Sequence, residues 1–262
     1  MNFISLLLTL FVGLFILVGS ALGLSSKNNK KLTDFSISMA FGVIISLILF
    51  EILPETFNTL SHEVGIIRSI IAIILLVLIG IFTLKILDLF VPYHEHETHH
   101  HHLHKSDKCH NEHLSHIGLI SSITVIVHNV IEGMSLYLVA TNNLISGMLL
   151  CIGIGLHNIP MGLVITTTLV NSNYKRNKIM KISSIVSIST FIGGFIMFVL
   201  GGVNEMVKGV LLGFTLGMLI YISIFELLHQ IYHMKNKRVS IIGISIGVVL
   251  LFISVLLEHL IH

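Results

Sequence analysis

Charge is what this chain has least of. Aspartate, glutamate, lysine and arginine make up 11% of its 262 residues, where a soluble domain carries roughly 25%. So few charges cannot dress a water-facing surface, and the mean hydropathy of +0.95 points the same way. The deficit excludes an ordinary soluble protein and calls for a lipid bilayer as the surrounding solvent. Cysteine is scarce too: Cys109 and Cys151 are too few for a disulfide framework. Tryptophan is absent, so any aromatic belt at the membrane interface falls to Tyr and Phe. No basic tract suggests a nucleic acid partner, and the net charge of +2 says little about partners of any kind.

What the chain does have is long apolar runs. A spanning helix needs about 20 mainly apolar residues. Eight stretches qualify: roughly 2–24, 34–57, 64–90, 116–140, 145–169, 180–201, 205–230 and 240–261. The first is too long for the apolar core of a secretory signal and lacks a basic segment before it, so it reads as a helix. The expectation is an all-α, eight-helix membrane protein forming one transmembrane domain over residues 1–262. Twelve of the fifteen lysines and arginines fall in alternate connections, on one side of the membrane. By the positive-inside rule that side is cytoplasmic, which places both termini outside a cell membrane crossed many times.

One connection is unlike the others. "YHEHETHHHHLHKSDKCHNEHLSH" holds ten of the chain's seventeen histidines. It is too polar to pack, and residues 94–113 are expected to form a disordered cytoplasmic loop. Imidazole and thiolate are ligands for zinc and similar metals. His99, His100, His101, His102, His104 and Cys109 are therefore candidates for collecting metal at the membrane surface.

Two further stretches put polarity where lipid should forbid it: "HNVIEG" at 128–133 and "HNIPMG" at 157–162. Residues i and i+4 share a helix face, so His128 aligns with Glu132 and His157 with Met161. Each histidine lies about twelve residues into its span, and the spans run in opposite directions around "TNNL". At 1.5 Å per residue both sit roughly 18 Å deep, near the bilayer midplane. Ionisable groups at that depth mark an ion or substrate path by default. Two imidazoles and a carboxylate suit a borderline divalent metal. Gly133 and Gly162 follow the motifs and would let backbones approach closely. No HExxH pattern, Ser-His-Asp pattern or phosphate-cradling Gly loop accompanies them, so the metal reads as cargo. A non-transporting metal sensor and an intramembrane metalloenzyme remain as alternatives.

Taken together, "HNVIEG", "HNIPMG", "GVIISLILFEILPE" at 42–55 and "LGMLIYISIFELLHQ" at 216–230 resemble the ZIP family of zinc and iron transporters over the whole chain. The resemblance implies a carrier moving divalent cations towards the cytoplasm, often as a homodimer. It implies a metal site of His128, Glu132 and His157, with the fourth place falling on Met161, and a neighbouring second site at Asn129 and Asn158. Where many relatives have glutamate, this chain has Met161 and Thr190. Both departures remove negative charge, so one functional metal site is expected. Zinc is the first candidate substrate, with Cd²⁺, Fe²⁺ and Mn²⁺ as others. Glu51, Glu55 and Asn58 at one end of the path, and Glu226 and His229 at the other, are candidate pathway residues.

Overall fold

In the computed structural model, residues 2–25, 29–90, 105–202 and 204–259 are described. They form eight helices, each long and apolar enough to cross a membrane. We number them α1 (Asn2–Leu24), α2 (Lys30–Val64), α3 (Ile66–Phe90), α4 (Lys105–Asn142), α5 (Leu144–Asn171), α6 (Arg176–Leu200), α7 (Glu205–His233) and α8 (Lys237–His259). The eight expected spans are all present, with some ends shifted. The largest shift is in α4, whose backbone is already helical at Lys105, inside the tract expected to be a loop. Residues 94–104 of that tract lie outside the described residues.

Helix ends follow local chemistry. The Asn143 side chain accepts from the backbone N–H groups of Ile145 and Ser146, capping α5 one residue after α4 stops. Asn204 caps α7 through the Met206 N–H in the same way. Gly201, at φ +72°, closes α6 in a left-handed conformation that costs glycine nothing. Two helices contain π turns: Ile48–Ile52 in α2 and Ile222–Leu228 in α7. The first has a visible cause. Pro54 has no N–H to offer the preceding turn, and the Leu53 N–H reaches back five residues to the Ile48 carbonyl. For the second, nothing in the sequence around Glu226 supplies a physical account.

Helices α1, α4, α5 and α6 pack as one bundle, and α2–α8 and α3–α7 form pairs beside it. In lipid, apolar side chains gain little by meeting one another, so association depends on close backbone contact and internal hydrogen bonds. Glycines provide that contact. A Cβ on Gly133 (α4) would collide with the Thr190 carbonyl (α6), and one on Gly193 (α6) with the Val130 carbonyl (α4). The same reciprocal pattern joins α5 to α1, through Gly162 against Ile16 and Gly19 against Ile159. Ser187 Oγ donates to the Gly13 carbonyl at 2.7 Å, tying α1 to α6.

These registers reveal an inverted repeat. Adding 29 takes Val130 and Gly133 to Ile159 and Gly162; subtracting 174 takes Thr190 and Gly193 to Ile16 and Gly19. Gly42 of α2 meets Ile244 of α8, and Gly247 of α8 meets Met39 of α2. Their counterparts are Gly217 of α7 against Val77 of α3, and Gly80 of α3 against Phe214 of α7. Thus α1–α3 and α6–α8 are equivalent units of opposite direction. Residues of α2 correspond to those 175 further on in α7, which pairs Glu51 with Glu226, each inside a π turn. The motif helices α4 and α5 face one another at the centre.

Candidate metal centre

His128 and Glu132 stand one turn apart on α4, and His157 reaches them from α5. Glu132 Oε1 lies 2.9 Å from His128 Nε2 and 2.7 Å from His157 Nε2. The three are 1%, 7% and 0% exposed, and their ligating atoms all lie within 4.8 Å of one another. The His128 contact is close in distance but poorly aligned as a hydrogen bond, since His128 Nε2 has no hydrogen-bond partner among the described residues. The His157 contact is a formed hydrogen bond. Tetrahedral zinc with ligands at about 2.0–2.2 Å would hold its donors roughly 3.3 Å apart. Both imidazoles would therefore shift outward by only a few tenths of an ångström to admit an ion. Gly133 and Gly162 secure the frame, because each presses the helix backbone beside the motif onto a neighbouring helix.

Ser254 of α8 completes the geometry. Its Oγ lies 3.4 Å from His157 Nδ1. A proton on Nδ1 directed at Ser254 leaves Nε2 free to ligate, the kind of outer contact that fixes a metal-binding histidine. Sequence reasoning missed this residue, since one serine in an apolar run carries no signal.

The other sequence candidates fall as follows. Met161 is fully buried one turn beyond His157, among the side chains of the main core. Asn129 Nδ2 donates to the Val186 carbonyl of α6 at 3.1 Å, which leaves its Oδ1 without a hydrogen-bond partner among the described residues. Both amide atoms of Asn158 and the hydroxyl of Thr190 are in the same state. These groups are neutral, and Glu132 is the one carboxylate in the His128–Glu132–His157 group.

A cavity of about 480 Å³ opens from His128 and Glu132 towards one end of the bundle, past Glu51, Glu55, Ser135, Asn142, Gly202 and Glu205. Two of the expected pathway residues, Glu51 and Glu55, line it; Asn58 is exposed and is not among its lining residues. This end also carries the α2–α3, α4–α5 and α6–α7 connections. Towards the opposite end α2 and α5 are latched together. Ser36 Oγ and Thr167 Oγ1 are 2.7 Å apart, and Asn171 Nδ2 donates to Thr33 Oγ1 at 2.8 Å.

In that second half Glu226 is buried, with His116 Nδ1 3.5 Å from its Oε2. His229 is exposed and lies against His233 with the rings tilted 47° to each other, centroids 4.6 Å apart. His116 was not singled out from the sequence, because it closes a polar tract that reads as solvated. Of the proposed metal-collecting residues, His99, His100, His101, His102 and His104 lie outside the described residues, and Cys109 falls in the first turns of α4.

The arrangement can hold a divalent ion in a buried, mid-helix position reached through a carboxylate-lined opening. Comparison with known proteins agrees with that capability. The zinc transporter ZupT of Chlorobium chlorochromatii (strain CaD3) is 28% identical over 256 residues, covering 95% of this chain and 96% of the relative. Residues 93–254, which include both motifs, α6, α7 and most of α8, match the family model described as ZIP zinc transporter. A match of that extent, on a bundle of eight spanning helices with two imidazoles and a carboxylate at its centre, places the chain in the ZIP zinc transporter family.

Proposed function

We propose that the protein carries a divalent transition metal, zinc first, across the cell membrane and into the cytoplasm. His128, Glu132 and His157 are the mid-membrane ligands in this reading, and the bound ion is released by movement of helices, without covalent chemistry. One observation carries it: three ligating atoms within 4.8 Å of one another, buried halfway along two antiparallel spans and open to one end of the bundle. Binding there uses neutral imidazoles, so acidification competes with the metal.

The basic end of the bundle faces the cytoplasm and both termini face outside, in keeping with the charge asymmetry of the connections. The cavity past Glu51 and Glu55 is then the external approach, and the Thr33–Asn171 and Ser36–Thr167 latch closes the cytoplasmic half. Glu226, with His116 and His229 nearby, lies on the way out. The whole chain acts as one transmembrane domain, and a homodimer is the proposed assembly. Asn129, Asn158 and Thr190 are neutral, so a second divalent ion beside the first would find too little charge; one ion is bound at a time. Met161 is the fourth ligand, and its thioether shifts preference from Mn²⁺ and Fe²⁺ towards Zn²⁺ and Cd²⁺. The 94–113 tract collects metal at the cytoplasmic surface.

Zinc uptake by proteoliposomes tests the assignment. His128→Ala, Glu132→Ala and His157→Ala should each abolish uptake while leaving a folded, monodisperse protein. Full uptake by Glu132→Ala would overturn the site.

A further inference from the structure

Leaving His128 aside, the charged side chains that line the cavity are acidic with one exception. Glu51, Glu55, Glu132 and Glu205 contribute carboxylates, and Lys208 is the one lysine or arginine among the lining residues. Lys208 Nζ lies 2.7 Å from Glu55 Oε1, with the two side chains 25% and 36% exposed. A fixed ammonium in a cation path repels the cargo, so its presence needs a reason.

Stability is a weak reason. An ion pair this exposed contributes little. Lys208 also sits in the first turn of α7, where the helix dipole disfavours a positive charge. The inverted repeat supplies an internal control. A shift of 175 takes Lys208 to Thr33 and Glu55 to Gln230, both neutral. The equivalent helices at the opposite end of the bundle therefore pack without an ion pair at these positions. The charged pair belongs to one mouth and not to the scaffold shared by both halves.

We propose that Lys208 is a tethered competitor cation at the mouth of the metal path. Its ammonium holds the Glu55 carboxylate, and a passing ion must exchange for it before moving on to Glu51 and the His128–Glu132–His157 group. A monovalent ion gains from Glu55 no more than the ammonium already gives, whereas a divalent ion gains about twice the Coulomb energy. Exchange thus favours divalent ions over the far more abundant monovalent ones, and it weakens apparent affinity for all of them. This inference rests on the proposed transport function.

The test is zinc uptake by proteoliposomes as a function of zinc and potassium concentration. Lys208→Met should lower the apparent KM for zinc roughly fivefold, the equilibrium factor at the upper range of a half-exposed ion pair. Vmax should stay within about twofold, and inhibition by potassium should increase. Lys208→Arg should behave as wild type. Glu55→Gln should raise KM, and adding Lys208→Met to it should bring KM back down, because the lone ammonium then only repels. Thermal melting in detergent reports folding separately. An unchanged KM in Lys208→Met, or a lower Vmax that tracks a lower melting temperature, makes the pair a structural staple and overturns the proposal. Wild-type liposomes that take up no zinc would overturn the transport reading together with it, whereas normal wild-type uptake with an indifferent Lys208→Met overturns this inference alone.

Discussion

Replacing Gly133 by alanine should damage the metal centre without touching a ligand. The added Cβ would collide with the Thr190 carbonyl oxygen and come within 3.1 Å of the Thr190 Cα, all of it helix backbone that cannot rotate away. Restoring ordinary contact requires α4 and α6 to separate by about 1.5 Å. Overpacking of this kind costs roughly 1–3 kcal/mol. Glu132 is the adjacent residue, and its carboxylate meets His157 of α5 at 2.7 Å. A shift of α4 on that scale cannot be absorbed by an interhelical contact so short. Zinc affinity should therefore fall tenfold or more, since misplacing reacting groups by about 1 Å can cost on the order of a hundredfold. Gly80→Ala is the matched control. Its Cβ meets the Phe214 carbonyl between α3 and α7, outside the bundle that carries both motifs. It should lose a similar amount of thermal stability yet bind zinc within about twofold of wild type. Melting temperature in detergent and zinc titration of the same samples separate the two effects. Equal loss of melting temperature with equal zinc affinity in the two variants would refute the link between backbone approach and site geometry.

Three other outcomes are expected. Ser254→Ala should weaken zinc binding about tenfold, the low end for loss of an outer histidine partner, because the Ser254 contact with His157 is long at 3.4 Å; equilibrium titration with a zinc indicator checks it. Met161→Glu should raise uptake of Mn²⁺ and Fe²⁺ relative to Cd²⁺, and Met161→Leu should weaken Cd²⁺ more than Zn²⁺; unchanged affinities in Met161→Leu would remove sulfur from the ligand set. Deleting 94–113 should change apparent affinity without abolishing transport. An impermeant thiol reagent added outside intact cells should also fail to label Cys109, the remaining cysteine, Cys151, being buried.

Much of the fold was legible because lipid leaves the backbone few options. With no water to satisfy its polar groups, an apolar run of sufficient length has to be a helix. The eight runs could therefore be read directly, along with the anomaly of two histidine motifs inside them. The convergence of His128, Glu132 and His157 follows from helix periodicity and one short connection, both local features. What escaped the sequence depends on partners far along the chain. His116 reads as part of a solvated histidine tract, and only the fold turns it towards Glu226, 110 positions later. Ser254 looks like any small residue of a packed helix. Of the two π turns, one is signalled by Pro54 and the other by nothing.

The inverted repeat was the least legible feature, and its physical form explains why. Its clearest trace in side chains is "FEIL" at 50–53 against "FELL" at 225–228. Elsewhere the halves are matched by glycines that meet carbonyl groups, and that contact specifies only an absence of side chain. A glycine between helices serves equally well in either direction, so backbone registers can be repeated exactly where side chains are not. Residues at the two ends of the bundle meet opposite sides of the membrane and need not match, as Lys208 against Thr33 and Glu55 against Gln230 demonstrate. One set of helix contacts is thus used twice, while the chemistry of each end is written in side chains that the repeat leaves free. The buried centre lies where the two uses meet, and there the motifs do match: His128 with His157, Asn129 with Asn158, Gly133 with Gly162. The break in that match falls at Glu132, whose partner position under the same shift of 29 is Met161. In the proposed site the negative charge is thus carried by α4, whereas His157 and Met161 of α5 are neutral donors.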